Sequence, residues 1–147
     1  MKRQVLVVLA VALLMGAEKP KEDAAKKDFA KFEGTWEIVS MEVEGMKLPE
    51  EQFKDAPLVL KGDQFTMKHG DIVYKGTFKL DVAKKPKELD ITYTEGPEKG
   101  KTLLAIYDLQ GDTYKVCIDV EGKGRPTEFA SKKGSGHVLQ VLKREKP

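Results

Sequence analysis

The chain has one cysteine, one tryptophan and two histidines in 147 residues, and each scarcity closes off a class of chemistry. With Cys117 alone, no intrachain disulfide can form, so the fold must rest on its apolar core. His69 and His137, with Cys117 as their only soft companion, fall short of the three or four ligands of a zinc centre. A catalytic Cys–His pair would need one of those histidines opposite a cysteine in the outward row of its strand, so none is expected. Net charge is scarce as well. There are 26 basic and 24 acidic residues, and 34% of the chain is charged. So mixed a surface exerts no global pull on nucleic acid or on an anionic membrane.

Long hydrophobic runs are limited to one. Val5 to Ala17 is an apolar stretch of about 13 residues, shorter than the ~20 needed to span a bilayer. It follows the basic start Met1-Lys2-Arg3-Gln4 and gives way to the charged Glu18-Lys19-Pro20, the layout of a secretory signal over residues 1–17. Cleavage is expected after Ala17. Met15 departs from the small-x-small rule, which leaves an uncleaved tether as the alternative. No cysteine follows the run, so no lipoprotein attachment is expected. Removing Lys2 and Arg3 takes the basic count from 26 to 24, equal to the 24 acidic residues. The expectation is an exported, neutral and monomeric domain in the periplasm, the cell envelope or outside the cell, with no stable membrane insertion and no cofactor.

Residues 18–31 are Lys, Glu, Asp and Ala with one Pro and one Phe, which reads as a charged linker closing in a short helical turn around Asp28 to Phe32. Phe29 and Phe32, three apart, are placed to cap one end of the domain that follows over 32–147. That domain opens with Gly34-Thr35-Trp36, the start of a long strand: Gly34 admits a conformation other residues resist, and Trp36 brings the largest apolar surface. Trp36 and Ile38 share one face, whereas Val39, Met41 and Val43 form the later apolar set. A change of phase in a period-two pattern predicts a bulge or bend near Val39 to Met41.

Leu58 to Leu60, Phe65 to His69 and Ile72 to Leu80 then follow as strands separated by Gly62-Asp63 and Gly70-Asp71, both tight hairpin signals. Leu89 to Tyr93 alternates cleanly, Thr102 to Leu109 is apolar on both faces and so expects cover from outside, and Gly111-Asp112 leads into Tyr114 to Val120. Thr127 to Ser131 and His137 to Arg144 are read as the final runs. Eight or so short strands joined by tight turns predict an all-β, antiparallel up-and-down meander closed into a barrel with little helix; a sandwich is the alternative.

Gly34-Thr35-Trp36 before an antiparallel meander resembles the Gly-x-Trp opening of the lipocalins. With Gly96-Pro97-Glu98-Lys99-Gly100-Lys101, Arg125-Pro126-Thr127-Glu128-Phe129 and Gly134-Ser135-Gly136-His137-Val138-Leu139, the chain from Phe32 to Arg144 is similar to uncharacterised small exported lipocalin-like domains abundant in planctomycete bacteria. The resemblance implies a lipocalin-like barrel and brings no substrate, reaction or ligand with it. It further implies that Trp36 packs at a closed end under an arginine from late in the chain, the part that falls to Arg144 rather than Arg125, with a structural role for Gly34, Trp36 and Arg144.

The remaining motifs point to turns rather than chemistry. Ser135 lacks the strand–turn–helix setting of a nucleophile elbow. No helix start follows Gly122-Lys123-Gly124, as a phosphate loop requires. Lys84-Lys85-Pro86-Lys87 reads as a solvated loop. What stands out is an inward aromatic row, Tyr74, Phe78, Tyr93 and Tyr114, which with Met41 lines whatever interior the barrel has. Three tyrosines among four aromatics favour a partly hydrated interior, because a buried hydroxyl needs a partner. Two non-enzymatic functions follow: a module binding a small apolar or amphipathic ligand in the barrel, or a filled barrel whose loops contact a protein or polymer of the cell envelope.

Overall fold

Turn chemistry sets the strand order. In the computed structural model, which describes residues 23–146, the strands are β1 (Gly34–Val43), β2 (Met46–Lys47), β3 (Leu58–Lys61), β4 (Gln64–His69), β5 (Ile72–Asp81), β6 (Lys87–Glu95), β7 (Thr102–Gln110), β8 (Thr113–Asp119) and β9 (His137–Arg144). The secretory signal over 1–17 lies outside the described residues. Gly62-Asp63, Gly70-Asp71 and Gly111-Asp112 each close a two-residue hairpin, with the glycine at positive φ in first place as a type II′ turn requires. From β3 to β9 each strand pairs antiparallel with the next.

The meander closes on itself. Strand β1 pairs with β3 along one edge and with β9 along the other, giving an eight-stranded antiparallel barrel. Strand β2 is an extra, folding back on the far end of β1 across Glu44-Gly45. The expected bend in β1 is a register shift against β9 between Ile38 and Ser40, with Val39 as the added residue. That one-residue slip lets β1 bury Trp36 and Ile38 at one end and still turn Met41 toward the core at the other.

The segment ahead of the barrel is more ordered than a linker with a single turn. It is helical over residues 23–32 (α1), with Asp28 and Phe32 buried and Phe29 packed on the core. The apolar residues in its last turn are the reason: they have a barrel end to cover. The opposite correction applies to Thr127–Ser131, which forms no strand but belongs to an irregular crossing between β8 and β9. Phe129 and Ala130 are half-buried against the outer face of the sheet and Ser131 is buried, a setting that leaves the same apolar signal as a strand.

Gly76 shows how tightly the wall is drawn. It is buried at a register shift between β5 and β6, and a Cβ there would lie 2.0 Å from the Thr92 carbonyl and 2.6 Å from the Phe65 ring. Neither backbone nor ring can yield at so short a distance. Gly76→Ala is expected to destabilise the domain by about 1–3 kcal/mol through overpacking, measured as a shift of the urea midpoint. Trp36→Ala, which removes the largest fully buried side chain among the described residues, is expected to cost about 3–5 kcal/mol by the same measurement. A loss below ~1 kcal/mol for Trp36→Ala would mean that the indole is not a core group.

Candidate ligand cavity within the barrel

One end of the barrel is sealed, and the seal is built on Trp36. Its indole N–H donates to the Phe32 carbonyl at 2.7 Å, tying β1 to the end of α1. The Arg144 guanidinium lies over the indole ring, 4.4 Å from its centroid. Arg144 also donates from Nε to Asp112 Oδ1 at 3.0 Å, and from its two terminal nitrogens to the carbonyls of Glu33 and Lys31. Gly34 is required beneath it: φ is +130°, and a Cβ would meet Arg144 Nη1 at 2.9 Å. Arg125 stands elsewhere, paired with Asp90 at 2.6 Å on the outer wall.

Helix α1 is anchored beside this seal by a buried carboxylate. Asp28 Oδ2 accepts from Tyr107 Oη at 2.7 Å and from Lys87 Nζ at 2.8 Å. Burial, and then the bond to Asp28, push the Tyr107 phenol far above its ordinary pKa, so it remains a donor. Phe32 completes the plug, its ring 5.8 Å from Phe78, 5.3 Å from Tyr107 and 4.8 Å from Tyr114. Phe29 and Phe32 thus cap the end together, as their spacing predicts. Asp28 and Tyr107 are the residues that sequence reasoning missed.

Above the plug the side chains leave space across the barrel. A cavity of about 420 Å³ runs up the barrel from Phe32, with walls that include Leu60, Phe65, Phe78, Leu89, Ile91, Val116 and Leu142. Tyr74, Phe78, Tyr93 and Tyr114 all face it. Met41 packs against the core but stands outside the cavity wall. Tyr114 lies deep, edge-on to Phe32 and Trp36. Tyr93 lies higher, its ring 5.4 Å from Phe65 and 6.2 Å from Tyr74. Burial, with Glu98 and Tyr74 nearby, raises the Tyr93 phenol above its ordinary value, so it too is a neutral donor at physiological pH.

The other end is open and polar. His69, Glu98, Lys101 and Gln140 reach the cavity there beside Val120, and Lys101 Nζ is 2.6 Å from Glu98 Oε2. The cavity thus has carbon walls below and a few hydrogen-bonding groups at its mouth. Among the described residues no group of three or more His, Cys, Asp and Glu side chains is arranged to hold a metal ion, and no helix is long and apolar enough to cross a membrane.

A strap over residues 120–136 closes the outer wall. Arg125 Nη1 donates to the carbonyls of Ala105 at 2.8 Å and Leu89 at 3.2 Å, while the Gly134 N–H donates to Glu44 at 3.0 Å. The strap therefore crosses from β6 and β7 to the β1–β2 turn. Beneath it lie Ile106 and Cys117, which accounts for a β7 that is apolar on both faces. Cys117 is in the outward row, as read, but covered: its Sγ donates to the Ala130 carbonyl at 3.3 Å, and burial pushes the thiol up, away from the reactive thiolate. His137 is held by the Gly124 carbonyl at 3.0 Å.

Asp119 starts the strap. Burial alone would raise its pKa, but the N–H groups of Gly124, Lys123 and Glu121, with His137 facing it, hold it below the ordinary carboxylate range. Comparison of the chain with protein-family models, with curated proteins and with solved structures finds no match.

The depressed pKa has a stability consequence whose sign is fixed. A carboxyl lower in the folded state than in the unfolded state, near 3.9, stabilises the fold above that value and loses the contribution as pH falls through the folded pKa. At pH 7 Asp119→Asn is expected to cost about 1.5–3 kcal/mol, the worth of hydrogen bonds to a charged acceptor. The gap between parent and variant should hold down to about pH 5 and close below about pH 4, as urea melts across pH will record. A gap independent of pH would contradict the ionised form as the strap's anchor.

Proposed function

We propose that this domain is a non-catalytic binding module that holds a small apolar or amphipathic molecule inside the barrel, in the manner of an exported lipocalin-like domain. The observation that carries the reading is the cavity of about 420 Å³ above the Trp36 plug, closed below and open at a polar mouth. That volume falls within the range of roughly 300–1,000 Å³ over which small-molecule sites bury most of a ligand's surface. The rival reading, a filled barrel acting through its loops, needs Tyr74, Phe78, Tyr93 and Tyr114 to meet in the middle, and the room between them weighs against it.

The placement of the reactive side chains supports a non-catalytic role. Cys117 is buried under the strap on the outer wall, apart from His69 at the cavity mouth, and His137 is held at the strap's carbonyl, so the thiol and an imidazole do not converge on the cavity. The Lys101–Glu98 pair at the mouth is neutral overall and suits the polar end of an amphipathic molecule without selecting a charge.

A neutral aromatic fluorophore, N-phenyl-1-naphthylamine, tests the reading. Its emission should rise to a 1:1 plateau with the parent protein. Leu103→Trp, which places an indole in the cavity wall, should weaken binding by about tenfold or more, ~1.4 kcal/mol, while the thermal midpoint stays close to that of the parent. Absence of saturable binding, or equal binding by both proteins, would contradict occupancy of the barrel.

A further inference from the structure

The sealed end of the cavity presents one polar group that the protein leaves unused. The other polar side chains of the plug are spoken for: the Trp36 N–H by the Phe32 carbonyl, and the Tyr107 hydroxyl by Asp28. Tyr114 differs. Only 5% of it is exposed, and its ring is fixed between Phe32 and Trp36, yet its hydroxyl meets no hydrogen-bonding partner among the described residues. Nor is that hydroxyl walled in. Among the described residues, the one buried side-chain polar atom sealed off without a partner is Ser131 Oγ, on the outer strap. Tyr114 lines the cavity, so its hydroxyl opens into it.

Resting on the cavity reading, we infer that the ligand carries a neutral hydrogen-bond acceptor at its leading end, and that Tyr114 Oη–H takes it up at the bottom of the barrel. A desolvated phenol without a partner is unfavourable, and a ligand acceptor removes that penalty on binding. The acceptor is a ketone, aldehyde, ester or ether oxygen rather than an ionised carboxylate. An anion brought to this depth would have a single phenol as partner among phenylalanine, leucine and valine side chains, which does not repay its lost hydration. Burial holds the Tyr114 phenol well above its ordinary pKa, so the proton stays on the oxygen as the donor. The ligand body then lies against Leu89, Ile91 and Val116, with its trailing end at Tyr93 and the Lys101–Glu98 pair.

Benzophenone and diphenylmethane, which share two rings and differ in the carbonyl, separate these contributions when each displaces N-phenyl-1-naphthylamine from the full chain. The parent protein should favour the ketone by about tenfold. In Tyr114→Phe the preference should fall to near unity, with the affinity for diphenylmethane unchanged or higher and the urea midpoint not lowered. A ratio near one in the parent, or the same ratio in both proteins, would overturn the inference and leave the cavity as a binding site. A lowered midpoint with equal loss for both compounds would overturn it in favour of a structural hydroxyl. Failure of both compounds to displace the fluorophore would overturn the cavity reading together with it.

Discussion

The indole of Trp36 is the group on which the closed end depends. It is buried in β1 beside the strand that closes the barrel, receives the Arg144 guanidinium on its face, and donates to the last turn of α1. Three separate parts of the chain thus meet on one side chain: the plug helix, the first strand and the end of the last strand. A stacked guanidinium contributes about 0.5–2 kcal/mol here. The larger effect is geometric, because the same arginine occupies the carbonyls of Lys31 and Glu33 just ahead of Gly34. Closure of the barrel and docking of the plug therefore rest on the same two side chains, Trp36 and Arg144.

The sealed end of the barrel holds its polar groups in internal bonds, the Tyr114 hydroxyl excepted. At the sealed end Asp28, Tyr107, Lys87 and Arg144 are bonded to one another or to backbone carbonyls, and aromatic rings fill the space between them. Further up, aliphatic side chains together with Phe65, Tyr74 and Tyr93 line the cavity without filling it. Such an interior forgoes some of the dispersion energy that close packing would supply. The outer strap partly offsets this by burying Ile106, Cys117 and Pro126 against the wall from outside. Stability is thus concentrated around the cavity rather than in it.

Much of the architecture was legible in the sequence. Gly-Asp hairpins and period-two alternation are local signals, and both act where they are written. Even the phase change after Ile38 could be read as a bulge, because a slip of one residue exchanges faces. Three features were not legible. Tyr107 sits in a run apolar on both faces, where alternation carries no phase to say which side points in. Asp28 lies in a Lys, Glu and Asp tract that reads as solvated, and only the fold brings Tyr107 and Lys87 to it. Thr127 to Ser131 resembled a strand because cover on an outer face and pairing in a sheet leave the same apolar trace. The inward row of Tyr74, Phe78, Tyr93 and Tyr114 followed from parity. Whether those rings meet or stand apart did not, since that depends on barrel radius and on interdigitation across the interior; the same limit applies to Met41, which faces the core and yet stands outside the cavity.

Methyl-resolved NMR under xenon pressure tests whether the barrel has room inside without any assumption about a natural ligand. Xenon enters apolar space of this kind. The account predicts shifts that grow with pressure for the methyl groups of Leu89, Ile91, Val116 and Ile118, which line the cavity, and none for Ile106 beneath the strap or the exposed Val59. Unmoved cavity methyls, or shifts spread evenly over inner and outer residues, would contradict it and describe a filled barrel.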